Sequence, residues 1–104
     1  MQYLINTVDN GHINWSIQSE LLMDEAKHVW SLYKKGIIRN IWFSENKDAL
    51  LMIESENREQ VKTILDDFPL VKANLIEYKI TLLLPYTGFE RLLNGTEQCI
   101  PSFA

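Results

Sequence analysis

Residues 37–54 decide the fold: Ile37-Ile38-Arg39-Asn40-Ile41-Trp42-Phe43, then Ser44-Glu45-Asn46-Lys47-Asp48, then Ala49-Leu50-Leu51-Met52-Ile53-Glu54. Two runs rich in branched and aromatic residues flank a polar stretch, the pattern of an antiparallel hairpin with a four- or five-residue loop. Alternation puts Ile37, Arg39, Ile41 and Phe43 on one side of the first run and Ile38, Asn40 and Trp42 on the other. In the second run Ala49, Leu51 and Ile53 oppose Leu50 and Met52. Both faces of the hairpin are therefore largely apolar, and both need cover.

Upstream, residues 16–35 change to helical spacing. Leu22, Ala26, Val29 and Tyr33 recur at i, i+4, i+7 and i+11 and predict the core stripe. Leu21, Glu25, His28 and Leu32 form the flank beside it. Gly36 is placed to end the helix in the left-handed conformation, and Lys34 and Lys35 complement its dipole. Residues 3–8 read as a first strand closed by Asp9-Asn10-Gly11. Downstream, Asn57 and Gln60 form a capping box, Val61, Ile64, Leu65 and Phe68 a second helical stripe, and Pro69 stops that helix. Residues 74–84 make a last strand, wet on one face at its start and apolar on both at its end. Pro85-Tyr86 breaks it, and residues 88–93 form one further helical turn. Residues 94–104 lack periodicity and read as a tail.

The order β-α-β-β-α-β in about 85 residues predicts an α+β, ferredoxin-like fold: a four-stranded antiparallel sheet with two helices on one face. Residues 1–93 form that domain and 94–104 the tail. The uncovered face would expose more apolar surface than soluble monomers tolerate. The expectation is a homodimer through the sheet faces, a dimeric α+β barrel.

The chain has 104 residues, of which 46% are hydrophobic and 23% charged, with a formal charge of −4. About two-thirds of its unfolded surface is buried at this size, enough for one core. An acidic balance argues against a nucleic-acid partner. The first residues lack a basic stretch before the apolar ones, and no run of 18 apolar residues occurs, so neither a signal peptide nor a membrane span is expected. Cys99 is the only cysteine, which leaves no intrachain disulfide and a cytoplasmic setting as the default. The sequons at Asn14 and Asn94 matter only in a secreted protein. His12 and His28 show no ligand spacing, so neither metal nor cofactor is expected.

Several stretches together resemble the muconolactone isomerase family: Asp24-Glu25-Ala26-Lys27; Lys35-Gly36-Ile37-Ile38-Arg39-Asn40-Ile41-Trp42; Ala49, seven residues past that Trp; and Ile64-Leu65-Asp66-Asp67-Phe68-Pro69-Leu70. The resemblance spans about residues 1–90. Phe43 stands where the family often has Arg, and Asn46 where it has Gly. The resemblance implies a dimeric α+β barrel, in some members assembled into larger rings. It also implies a cofactor-free isomerase that shifts a double bond in a small lactone acid.

Such chemistry needs a base that can return a proton and a donor or cation for the developing enolate. Glu25 and His28, spaced i, i+3, are the candidate catalytic pair, with Asp24 at i−4 from His28. The commoner reading of such a pair is an ordinary solvated helix flank with a weak surface interaction. Arg39, Trp42 and Tyr78 are the candidate substrate-binding residues: Arg39 as a fork for a carboxylate, Trp42 as a pocket wall, and Tyr78 as a further aromatic on the last strand, with core packing as the alternative for the aromatics. Arg39 is alternatively paired across a sheet or dimer interface, for instance with Glu77. Three functions stay open: an isomerase of small oxygenated rings, a non-catalytic dimeric module binding a small molecule or a protein, and a cofactor-independent monooxygenase on the same fold.

Overall fold

The computed structural model describes residues 1–93; the tail, with Cys99, Ile100 and Phe103, lies outside the described residues. Its strands are β1 (Gln2–Asp9), β2 (Ile38–Phe43), β3 (Ala49–Glu54) and β4 (Ile76–Leu83). The helices are α1 (Ser19–Lys34), α2 (Arg58–Asp66), α3 (Pro69–Lys72) and α4 (Glu90–Leu93). The sheet order is β2-β3-β1-β4 and every neighbouring pair is antiparallel, the ferredoxin-like arrangement.

Alternation along β1 sends Tyr3, Ile5 and Thr7 toward the helices and leaves Leu4, Asn6 and Val8 on the bare face. Ile5 sits between Leu51 of β3 and Ile80 of β4, and is fully buried with Ile53, Val61 and Leu65 in the same core. Each such side chain contributes about 1.5–3 kcal/mol by leaving water. Thr7, the buried polar residue, donates from Oγ1 to the Ala49 carbonyl at 2.8 Å, which satisfies its hydroxyl.

Local signals translate directly into geometry. Gly36 closes α1 with φ 76°, a value that side chains resist. Asn57 Oδ1 accepts from Gln60 N–H at 2.8 Å, and Gln60 Oε1 accepts from Ser55 Oγ at 2.9 Å. In the β2–β3 loop, Ser44 N–H donates to the Asp48 carbonyl at 2.8 Å.

Five expectations are corrected. The segment expected as one helix from residue 16 begins as a separate 3₁₀ turn, Trp15–Ile17, capped by the Asn14 side chain. On α1, Leu22, Ala26 and Tyr33 are exposed, while Leu32 is buried and Leu21, Glu25, His28 and Val29 are half-buried. Two adjacent stripes share helical spacing, and the helix turns the flank inward, with Leu32 in the core and Tyr33 outside. Tyr33 stacks on Trp30 at 6.0 Å with planes 7° apart, and the Lys34 ammonium lies 5.8 Å from the Trp30 ring.

Pro69 does not only stop α2; it also opens α3, where its missing N–H costs nothing. A register shift at Arg39 puts Ile38, opposite Ile53, on the same face as Ile41 and Phe43, and leaves Asn40 and Trp42 on the bare face. The end of β4 is half-buried rather than buried, because it is an edge strand under a bare face.

Candidate functional site

The five expected site residues fall in three places. The first is the seam between α1 and α3. Phe68 provides no side-chain cap for α3 and Pro69 has no N–H, so Leu70 carries the first free donor of that helix. Glu25 reaches across from α1, and its Oε1 accepts from Leu70 N–H at 3.1 Å. Burial pushes the Glu25 carboxyl above its ordinary range, and the Leu70 bond partly opposes this. One turn on, His28 meets the Phe68 ring edge-on at 4.9 Å. Its Nε2 is buried without a hydrogen-bond partner. Among the described residues no hydrogen bond joins His28 to Glu25 or Asp24, and Asp24 is exposed. Nearby, Lys72 Nζ lies 3.0 Å from Asp67 Oδ1 and holds that carboxyl low, with a smaller contribution from His28.

The second place is β2. Arg39 is exposed at the bulge and has no ion pair among the described residues. Glu77 lies on the opposite edge strand, so the two do not pair within one chain. Trp42 is 45% exposed on the bare face, at the start of a row formed with Leu50, Asn6 and Lys79 across all four strands. Beside it run Asn40, Met52, Leu4 and Thr81.

The third is the α2–β4 contact. Tyr78 faces the helices, and its hydroxyl donates to Asp66 Oδ1 at 2.6 Å, where Lys62 also binds Oδ2 at 3.3 Å. Desolvation and the Asp66 bond push the Tyr78 phenol up, while the Tyr78 bond leads the causes that hold Asp66 low. The structure thus brings Glu25 and His28 to one seam but leaves Trp42 on the other side of the sheet and Tyr78 tied to α2.

Sequence reasoning missed Phe68 and the Leu70 N–H as neighbours of the pair; a proline at the first position of a short helix was the available signal. It also missed Asn6 beside Trp42, which sheet order alone reveals. Two hollows are prominent. One, of about 390 Å³, lies among Met1, Glu54, Gln60 and Ile64; the other, of about 560 Å³, among Leu84, Tyr86, Glu90 and Arg91. Neither is lined by any of the five residues. Among the described residues no group of three or more His, Cys, Asp or Glu is placed to hold a metal, and no helix is long and apolar enough to cross a membrane.

No family model matches the sequence, and no curated protein matches it. Solved structures do match. A muconolactone isomerase superimposes with a TM-score of 0.71 at 14% identity, over 84% of this chain and 92% of that one. The 5-chloro-2-hydroxyhydroquinone dehydrochlorinase of Burkholderia phenoliruptrix AC1100, in complex with 2,5-dihydroxybenzoquinone, superimposes at 0.66 and 16% identity, over 81% and 94%. The chain has a muconolactone isomerase-like fold.

Proposed function

We propose, with that fold as the premise, that this chain is a cofactor-free isomerase of a small lactone or oxygenated ring acid, acting by proton transfer in a homodimer built through the sheet faces. One observation carries the reading: at the α1–α3 seam Glu25 has Oε1 fixed by Leu70 N–H and Oε2 without a partner among the described residues, one turn from the orphaned His28 Nε2. A carboxylate held by one oxygen is positioned, and its other oxygen is free to take a proton. Its raised pKa brings it closer to the range where a group both accepts and returns a proton. In the proposed reaction Oε2 removes a proton from the carbon beside a carbonyl, an enolate forms, and the proton returns to a distant carbon. His28 Nε2 shares that proton or donates to the enolate oxygen. Arg39, free of ion pairs among the described residues, is the cation proposed for a substrate carboxylate, whereas Trp42, across the sheet from Glu25, belongs to the proposed dimer contact. The two structural neighbours, named for a lactone and for a hydroxylated ring, support the substrate class.

A second reading has its own support. Glu25 Oε1 caps α3, and the two prominent hollows lie away from the pair, which favours a dimeric binding module that kept the fold without chemistry. A panel of lactones and enol-lactones assayed with wild type, Glu25→Gln and His28→Ala separates the two. The isomerase loses activity by two orders of magnitude or more in Glu25→Gln; activity indifferent to both changes, or none in wild type, favours the module.

A further inference from the structure

The turn that closes β1 takes no part in the proposed reaction. Asn10 and Gly11 are both exposed, and Gly11 holds φ 83° with nothing within 4 Å of the place a Cβ would take. Asn10 is nonetheless tied down. Its Nδ2 donates to the Asn74 carbonyl at 3.0 Å, and its backbone N–H donates to the Leu75 carbonyl at 2.8 Å. These two bonds clasp the end of β1 to the turn between α3 and β4. Leu75 N–H in turn donates to the Leu70 carbonyl at 3.0 Å, so the clasp continues into the backbone of α3.

We infer that Asn10–Gly11 is a site of spontaneous covalent change, at which conversion of the Asn10 amide to a carboxylate opens the clasp. An asparagine side chain is attacked by the backbone nitrogen of the next residue, and a glycine there, without a side chain, leaves that nitrogen least hindered. The Gly11 nitrogen bonds to Asn10 Cγ, the Cγ–Nδ2 bond breaks, and ammonia leaves with the proton that Gly11 gives up. Water then opens the cyclic imide at either carbonyl and yields aspartate or isoaspartate; nothing is oxidised or reduced. Neither product has a side-chain N–H. A carboxylate oxygen then faces the Asn74 carbonyl, acceptor against acceptor, and the new charge falls beside Asp9, whose Oδ2 accepts from Trp15 Nε1 at 3.0 Å. Isoaspartate also lengthens the main chain by one carbon at the residue whose N–H holds Leu75. Before conversion the clasp works the other way. The bond from Nδ2 to Asn74 restrains the rotation that attack requires, so the folded chain converts more slowly than the unfolded one.

Incubation of the full chain at mildly alkaline pH, folded and in urea, tests this. Peptide mapping by mass spectrometry follows Asn10 apart from Asn94-Gly95, the other such pair in the sequence. In the folded chain Asn10 should convert to a mixture of aspartate and isoaspartate, about tenfold more slowly than in urea, as expected for the loss of one hydrogen bond. Asn10→Asp carries the product directly. Its amide protons at residue 10 and at Leu75 should exchange with solvent about tenfold faster than in wild type, with an unchanged far-UV circular dichroism spectrum. A folded chain that stays intact at Asn10 while the unfolded one converts fully overturns the site. Equal rates in the folded and unfolded chains overturn the restraint, and unchanged exchange in Asn10→Asp overturns the opening of the clasp.

Discussion

Glu25 Oε1 accepts a hydrogen bond from Leu70 N–H at 3.1 Å, across 45 residues of chain. It joins the sixteen-residue α1 to the four-residue α3. The carboxylate replaces the cap that Phe68 does not supply, so the same oxygen that stiffens the helix layer orients the group proposed to move protons. Stability and chemistry therefore separate according to which property of Glu25 a substitution keeps.

Glu25→Gln keeps an acceptor for Leu70 and removes the charge. Glu25→Ala removes both and leaves a part-buried donor unsatisfied, at a cost of about 1–2 kcal/mol. Because burial holds the folded-state pKa of Glu25 above its ordinary value of 4.5, the folded chain binds this proton more tightly than the unfolded one. Its contribution is fully present below the unfolded pKa and is lost as pH rises through the folded pKa. Urea unfolding of wild type across that window should show this loss, and Glu25→Gln should not. A wild-type profile identical to that of Glu25→Gln refutes the desolvated carboxyl.

Tyr78→Phe removes the donor that holds Asp66 low. The Asp66 carboxyl should then titrate closer to its ordinary value of 3.8, as read by NMR. In wild type the Tyr78 phenol is raised above 10.0, so its contribution is present below the unfolded pKa and lost as pH rises through the folded one. Ultraviolet titration of wild type should show a tyrosine step above the ordinary value of 10.0 that the variant lacks. If that step persists, another tyrosine carries it.

Gly36→Ala isolates a backbone cost. Nothing lies within 4 Å of the position a Cβ would take, so the penalty comes from φ 76° alone. The expected loss is about 1–2 kcal/mol in denaturant unfolding with an unchanged fold. A neutral result means that the turn relaxes to negative φ.

These positions show which parts of the structure were legible in the sequence. Gly36, the Asn57–Gln60 cap and the 44–48 loop act over a few residues, and each appears where its local chemistry points. Element order gave the sheet topology for the same reason. The inward face of α1 was illegible because Leu21 and Leu32 share helical spacing with the neighbouring stripe, and the contacts that separate them, Leu32 in the core and His28 against Phe68, are made with distant segments. The bulge at Arg39 was hidden by an unbroken alternation of residue types, although it moves Ile38 to the other face. Glu25 and His28 were recognised as a pair, but their neighbours Leu70 and Phe68 come from a distant segment. Tyr78 and Trp42 were grouped by residue type, whereas sheet parity puts them on opposite faces.

Leu50→Lys tests the sheet-face contact itself. Leu50 sits in the row between Trp42 and Asn6, on the face that no helix of the described residues covers. In a lone chain a lysine there extends its ammonium into water at little cost. In a sheet-to-sheet dimer two ammonium groups enter the contact without counter-charges, and each unpaired buried charge costs about 3 kcal/mol or more. Self-association should therefore weaken on the order of a hundredfold or more, while far-UV circular dichroism stays that of wild type. Because the substitution lies outside the helix-side core, an unfolded variant would show instead that this face contributes to the monomer. A folded Leu50→Lys chain that dimerises as tightly as wild type would move the contact elsewhere, with exposed Trp30 and Tyr33 on α1 as the next apolar surface to test.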